Sequence, residues 1–288
     1  MTAKKRHTTV SLQSLHAKGE KIVMVTAYDA AQAAIAERAE VDVVLVGDSL
    51  GMVVLGYDNT IPVTLDDMIH HAKAVRRGAP DTMVLVDMPF LSYRKSVADT
   101  LTGAGRIMQE AYADGVKLEG GETVAPHVKA LVDAGIPVCG HLGLTPQNSL
   151  NLGGFRVQGK DLATAEKILN DARALVEAGV FLLVLECVPA TLAAFLSEQL
   201  PIPIIGIGAG AACAGQVLVF HDLLGLYDRK PPKFVKAYAQ LGQAAVTALQ
   251  AYRDEVKGAI FPAPAYSYEV GEDELIPLYA KVKGDTNT

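Results

Sequence analysis

Val41-Asp42-Val43-Val44-Leu45-Val46-Gly47-Asp48-Ser49-Leu50-Gly51 decides the fold. Its β-branched apolar run reads as a strand covered on both faces, as in parallel sheets. It stops at a Gly-Asp-Ser turn, so a carboxylate and a hydroxyl stand just past the strand's carboxyl end, where parallel α/β folds place their chemistry. The pattern recurs in Val84-Leu85-Val86-Asp87, Val116-Lys117-Leu118-Glu119 and Leu182-Leu183-Val184-Leu185-Glu186. Four strands that each end in an acid point to a site.

Working outward, Ile22–Thr26 is expected as a strand, followed by an alanine-rich helix that Asp29 caps. The loop from Gly51 to Pro62 is too long for a simple turn, and long structured loops are commonly functional. Further strands are expected at 82–86, 115–119, 136–140, 180–185, 202–206 and 216–220, with helices between most of them. That alternation implies a parallel sheet with right-handed crossovers. Eight strands within 288 residues predict one (β/α)8 TIM-type barrel over 1–288. A doubly wound open sheet is the alternative, but it would scatter the acids that a ring gathers at one mouth. A short N-terminal extension (about 1–10), a long outer helix from Pro232 to about Val256 and an irregular tail (about 262–288) complete the expectation.

The composition narrows the function. Half of the residues are apolar, enough for a large core, and the net charge of −6 argues against a nucleic-acid partner or an acidic membrane surface. Lys4-Lys5-Arg6-His7 has no apolar segment behind it, so it reads as a frayed terminus rather than a signal peptide. Three cysteines, Cys139, Cys187 and Cys213, suit buried thiols in a reducing cytoplasm.

Neighbouring barrel strands lie about 4.8 Å apart, so Asp48, Asp87 and Glu119 converge. Three carboxylates without a histidine or cysteine cluster make a hard-oxygen site suited to Mg2+. Lys117 and Glu119 are two apart and share a face; the lysine needs an anion, either a substrate carboxylate or Glu119 itself. Glu186 follows an apolar run, a setting that raises a carboxylate and suits a general base. His141, placed after the fifth strand, is either a structural donor or a site member. His70 and His71 read as surface residues on a helix. Gly206-Ile207-Gly208-Ala209-Gly210 is either an anion cradle or a tight turn between two close strands. Together these residues describe a metal-dependent barrel enzyme: the ion holds a 2-oxo acid through two oxygens and stabilises the enolate, Glu186 takes the proton, and Lys117 offsets the carboxylate.

Five strings resemble the 3-methyl-2-oxobutanoate hydroxymethyltransferase (ketopantoate hydroxymethyltransferase) family: Val46–Gly51, Lys117-Leu118-Glu119-Gly120-Gly121, Gly140-His141-Leu142-Gly143-Leu144-Thr145-Pro146-Gln147, Leu185-Glu186-Cys187-Val188-Pro189 and Gly206–Gly210. Thr26-Ala27-Tyr28-Asp29 and Arg76–Pro80 fit as well, and the likeness runs over about residues 8–268. The resemblance implies a barrel of the phosphoenolpyruvate mutase/isocitrate lyase group. It also implies transfer of a one-carbon unit from the co-substrate 5,10-methylenetetrahydrofolate to 3-methyl-2-oxobutanoate, giving 2-dehydropantoate on the way to coenzyme A. It assigns Mg2+ to Asp48 and Asp87 with Glu119 close by, the oxo-acid contacts to Asp48, Ser49, Asp87 and Lys117, and the base to Glu186. It further implies a cytoplasmic homodecamer. Ala211-Ala212-Cys213-Ala214 departs from the polar residues usual in the family after the glycine string, which leaves any polar role of that loop unsupported. A carbon–carbon lyase of a 2-oxo acid on the same barrel is the competing expectation; it relies on a loop cysteine, and none follows the third or fourth strand.

Overall fold

Eight parallel strands close on themselves in sequence order: β1 (Ile22–Thr26), β2 (Val43–Val46), β3 (Met83–Asp87), β4 (Gly115–Glu119), β5 (Val138–Gly143), β6 (Leu182–Glu186), β7 (Ile204–Ile207) and β8 (Gly215–Leu218). This computed structural model describes residues 6–227 and 231–285. The helices are α1 (Thr9–Ala17), α2 (Ala30–Arg38), α3 (Leu50–Val53), α4 (Leu65–Gly78), α5 (Val97–Ala111), α6 (Ala125–Asp133), α7 (Leu162–Ala178), α8 (Ala190–Gln199), α9 (Phe220–Leu224), α10 (Leu241–Lys257) and α11 (Glu272–Asp285). The expected barrel is the fold.

Side-chain alternation divides the core into two. Val44, Val46, Val84, Val86, Val116, Leu118, Leu183 and Leu185 pack outward with the helices. Met24, Val43, Leu45, Met83, Leu85, Cys139, Leu182 and Val184 fill the lumen, and Leu12 of α1 joins them. Following the lumen parity up each strand reaches Asp87 on β3, Lys117 and Glu119 on β4, His141 on β5 and Glu186 on β6. Register reinforces the grouping, with Asp87 beside Lys117 and Glu119 beside His141.

Helix starts follow the capping residues. Asp29 accepts from the Gln32 amide, as expected for α2. Thr64 and Asp67 form a reciprocal capping box on α4, and Thr8 and Ser11 form one on α1.

Several boundaries differ from expectation. The fifth strand extends to Gly143, so His141 lies inside it rather than after it. The outer helix starts at Leu241, not Pro232. The tail is not irregular: α11 spans Glu272–Asp285 with Pro277 inside it. A proline in a helix interior removes a hydrogen bond and reads as a breaker, whereas the acids at the start of this segment favour a helix. The N-terminal extension is shorter than expected, because α1 begins at Thr9. Arg6 pairs with Asp114 at 3.2 Å and His7 with Asp42 at 3.2 Å, so these two residues are tethered; Lys4 and Lys5 lie outside the described residues. His70 is exposed, but His71 is half-buried with Nδ1 2.6 Å from the Tyr28 carbonyl, against the expectation of a surface position.

The chain divides into two units, 1–239 and 240–288. The first is the barrel. The second holds α10 and α11, and α10 buries none of its residues. No helix among the described residues is long and apolar enough to cross a membrane.

Candidate active site

The carboxyl ends of the strands surround a cavity of about 550 Å³. Asp48, Ser49, Asp87, Lys117, Glu119, His141 and Glu186 all line it, so every expected site residue arrives at one mouth. Asp48, Asp87, Lys117, Glu119 and His141 are buried, and Glu186 is half-buried.

Asp48 and Asp87 form the centre. Asp87 Oδ2 accepts from the Asp48 backbone N–H at 3.0 Å. Lys117 Nζ lies 3.1 Å from Asp87 Oδ1, an ion pair whose geometry leaves Oδ1 without a hydrogen bond. Burial raises the Asp48 carboxyl well above its ordinary value, and Asp87 and Glu119 add repulsion. Burial also raises Asp87, with Lys117 and the Asp48 N–H working against the rise. Burial alone would discharge Lys117, but Asp87, Glu119 and Asp48 outweigh it and hold the ammonium. The cluster carries more buried negative charge than one ammonium offsets, which suits a divalent cation.

Glu119 is tied elsewhere. Its Oε2 accepts from the Gln147 N–H at 3.0 Å, and its Oε1 lies 3.6 Å from His141 Nδ1. Among the described residues no three His, Cys, Asp or Glu side chains are grouped as metal ligands. Asp48 and Asp87 nevertheless fit Mg2+, which is commonly held by one or two carboxylates together with water and substrate.

The base side is built around His141. Lys117 Nζ approaches Nδ1 to 3.0 Å, and Nε2 faces Glu186 Oε2 at 3.3 Å. Burial and Lys117 oppose charging the imidazole, while Glu119 and Glu186 favour it and raise it overall. The short Lys117 contact decides for the neutral ring, because an ammonium and an imidazolium N–H cannot donate to each other. The proton then sits on Nε2, toward Glu186. Behind Glu186, Gly143 has φ +88° and a Cβ there would stand 2.2 Å from the Glu186 carbonyl oxygen. Only glycine fits.

Three supporting residues escaped the sequence reading. Gln147 Nε2 donates to Asp48 Oδ2 at 2.8 Å and to the Met88 carbonyl at 2.9 Å. Tyr93 shares its hydroxyl proton between Gln147 Oε1 at 2.8 Å and the Glu119 carbonyl at 3.0 Å. Tyr28 and Ser49 exchange a hydroxyl hydrogen bond of 2.8 Å. Gln147 ends the Gly-His-Leu-Gly-Leu-Thr-Pro-Gln string, which was its one signal; nothing near Tyr93 marked it.

The glycine string after β7 makes a turn. Gly208 has φ +64° with the Phe234 ring against it, and Gly210 has φ +84° with Ala190 against it, so both are closed off by protein rather than open as a cradle. Cys187 lines the cavity, but burial and Glu186 push its thiol up to about 12, which keeps it protonated and a poor acid for a lyase.

Residues 6–264 match the family model described as ketopantoate hydroxymethyltransferase. A protein of Moorella thermoacetica named 3-methyl-2-oxobutanoate hydroxymethyltransferase is 60% identical over 269 residues, covering 93% of this chain and 100% of the relative. Its namesake from Carboxydothermus hydrogenoformans is 55% identical, covering 95% and 99%. Among solved structures, phosphoenolpyruvate phosphomutase from Streptomyces platensis superposes with TM-score 0.59 at 15% identity, over 98% of both chains. Phosphonopyruvate hydrolase in complex with oxalate and Mg2+ superposes with TM-score 0.59 at 13% identity, over 97% of this chain and 98% of that one. Those two share the fold; the sequence matches go further, and the chain belongs to the ketopantoate hydroxymethyltransferase family.

Proposed function

We propose that this protein transfers a hydroxymethyl group from 5,10-methylenetetrahydrofolate to 3-methyl-2-oxobutanoate, giving 2-dehydropantoate, the first step of pantothenate and coenzyme A synthesis. The observation that carries this reading is that the Asp48–Asp87–Lys117 cluster and Glu186 share one cavity in a chain of this family.

Mg2+ is the metal in this reading, with Asp48 and Asp87 as its holders and Glu119 adding charge from beside them. The orphaned Asp87 Oδ1 and the surplus of buried carboxylates support it. When bound, the ion supplies Lewis-acid polarisation of the 2-oxo group. Lys117 offsets the charge of the substrate carboxylate. Ser49, fixed by Tyr28, offers its hydroxyl to the same end of the substrate. Glu186 takes the C3 proton onto its carboxylate. His141, whose Nε2 faces that carboxylate at 3.3 Å without a formed hydrogen bond, steadies its charge before the transfer. C3 then becomes the nucleophile that takes the methylene carbon, water supplies the hydroxyl oxygen, and tetrahydrofolate is the leaving group. A cytoplasmic location and a homodecameric assembly belong to the same proposal and rest on the family resemblance.

The test is hydrogen–deuterium exchange at C3 of 3-methyl-2-oxobutanoate, followed by NMR in D2O with and without Mg2+. Exchange that needs Mg2+ and disappears in Glu186→Gln is the expected outcome. Undiminished exchange in the variant removes Glu186 as the base and transfers the role to His141. A wild type that neither exchanges nor forms 2-dehydropantoate sinks the proposed reaction.

A further inference from the structure

The cavity is larger than its metal and base end requires. About 550 Å³ is the size that encloses a ligand of drug dimensions, far more than a small branched oxo acid fills. The surplus space has a wall of its own. In a ring of eight strands β8 stands opposite β4; Val219 follows β8, Phe234 packs on Gly208 in the β7–β8 turn, and Tyr227 and Pro232 complete the same lining. Within this apolar wall sits one carboxylate, Asp222 of α9.

Asp222 is half-buried, and Tyr227 donates its hydroxyl to Oδ1. Lys117 is the one lysine or arginine in the described cavity lining, and it stands across the mouth beside Asp87. The other lining carboxylates, Asp48, Asp87, Glu119 and Glu186, are occupied by the reaction described above. Burial raises the Asp222 carboxyl, while Tyr227 and His221 pull it back down. Such a carboxylate gains most from a ligand that brings its own N–H donors.

We propose that Asp222 reads the pterin edge of the one-carbon donor, its carboxylate accepting from the adjacent N3–H and 2-amino group as a bidentate pair. The assignment rests on the reading that the donor is a reduced folate. The chemistry matches on both sides. The 2-amino-4-oxo pyrimidine edge presents two parallel N–H groups at the spacing a carboxylate accepts, and the flat ring suits a wall of Pro232, Phe234 and Val219. Held there, the pterin lies on the β8 side while Glu186 on β6 addresses C3. The two partners of the new bond thus meet within one mouth, with β7 between the pterin's side and the base.

The experiment compares equilibrium binding of tetrahydrofolate with that of its 2-desamino analogue, in the presence of Mg2+ and 3-methyl-2-oxobutanoate, to full-length wild type and Asp222→Asn. The wild type is expected to prefer tetrahydrofolate by about tenfold or more, since a hydrogen bond to a charged group is lost with the amine. In Asp222→Asn the two ligands are expected to bind within about twofold of each other, because a neutral acceptor with a donor amide no longer matches the edge. A wild type indifferent to the 2-amino group overturns the assignment, and so does a variant that keeps the full preference. If Asp222→Asn does not fold, the wild-type comparison still decides. A wild type that forms no 2-dehydropantoate overturns the underlying reading instead, so the two failures are told apart.

Discussion

At the scale of single residues, Gln147 holds the site together. Its amide spends both protons and its oxygen on fixed partners: Asp48, the Met88 carbonyl and Tyr93. That arrangement keeps Asp48 Oδ2 as an acceptor in a residue that lines the cavity. The backbone N–H of the same residue pins Glu119. Gln147→Ala is therefore expected to weaken divalent-ion binding by about tenfold, the worth of one hydrogen bond to a charged group, measured by titration with Mn2+ and electron paramagnetic resonance. Gln147→Glu tests the same point from the other side. A third carboxyl beside Asp48 and Glu119 is expected to take up a proton at neutral pH, as crowded buried carboxyls do. Mn2+ binding that is unchanged in both variants would show that Asp48 needs no help to face the ion.

At the scale of elements, helices are set by their first turns and the site by strand parity. In the α4 capping box, Thr64 Oγ1 accepts from the Asp67 N–H, and Asp67 Oδ2 accepts in return from the Thr64 N–H and hydroxyl. Slight burial raises the Asp67 carboxyl, but the Thr64 hydrogen bonds outweigh this and lower it overall. A carboxyl lowered on folding contributes stability that is present above its unfolded pKa and lost as pH falls through its folded one. Asp67→Asn is thus expected to cost about 1 kcal/mol near neutral pH, and the gap from wild type should close in strong acid. Denaturant titrations at a series of pH values measure both. Caps and parity are also what a sequence displays. Asp29 and the strand-end acids were legible because each is a local signal of fixed spacing. Lumen parity carried Asp87, Lys117, Glu119 and Glu186 to one mouth as soon as the strands were right. What escaped was long-range or ran against a local rule. Gln147 reaches Asp48 across 99 positions of chain, and no period announces such a contact. The helix through Pro277 overrides a breaker, and the long loop-like end of β5 hid the fact that His141 is a strand residue.

At the scale of the molecule, the barrel concentrates like charge at one mouth while α1 contributes Leu12 to the lumen core. Asp48, Asp87 and Glu119 are all buried and repel one another, with Lys117 as their cation. Burial makes that repulsion a cost of folding, and a divalent ion relieves it by binding the native state alone. Mg2+ at 100 times its dissociation constant is expected to add about 2.7 kcal/mol, which for a domain of this size raises the melting temperature by roughly 5–10 °C. Chelation reverses the shift. Asp48→Asn separates the two contributions, because its side-chain oxygen can still accept from Gln147 while one negative charge is gone. In metal-free buffer this variant is expected to melt at or above the wild type, and added Mg2+ should no longer move it. Differential scanning calorimetry with EDTA and with Mg2+ gives all four melting temperatures. A variant that melts well below wild type without metal would mean that Asp48 contributes to the fold through its charge. The acids would then belong to the scaffold as much as to the chemistry, and the strain at this mouth would not be the counterpart of its metal binding.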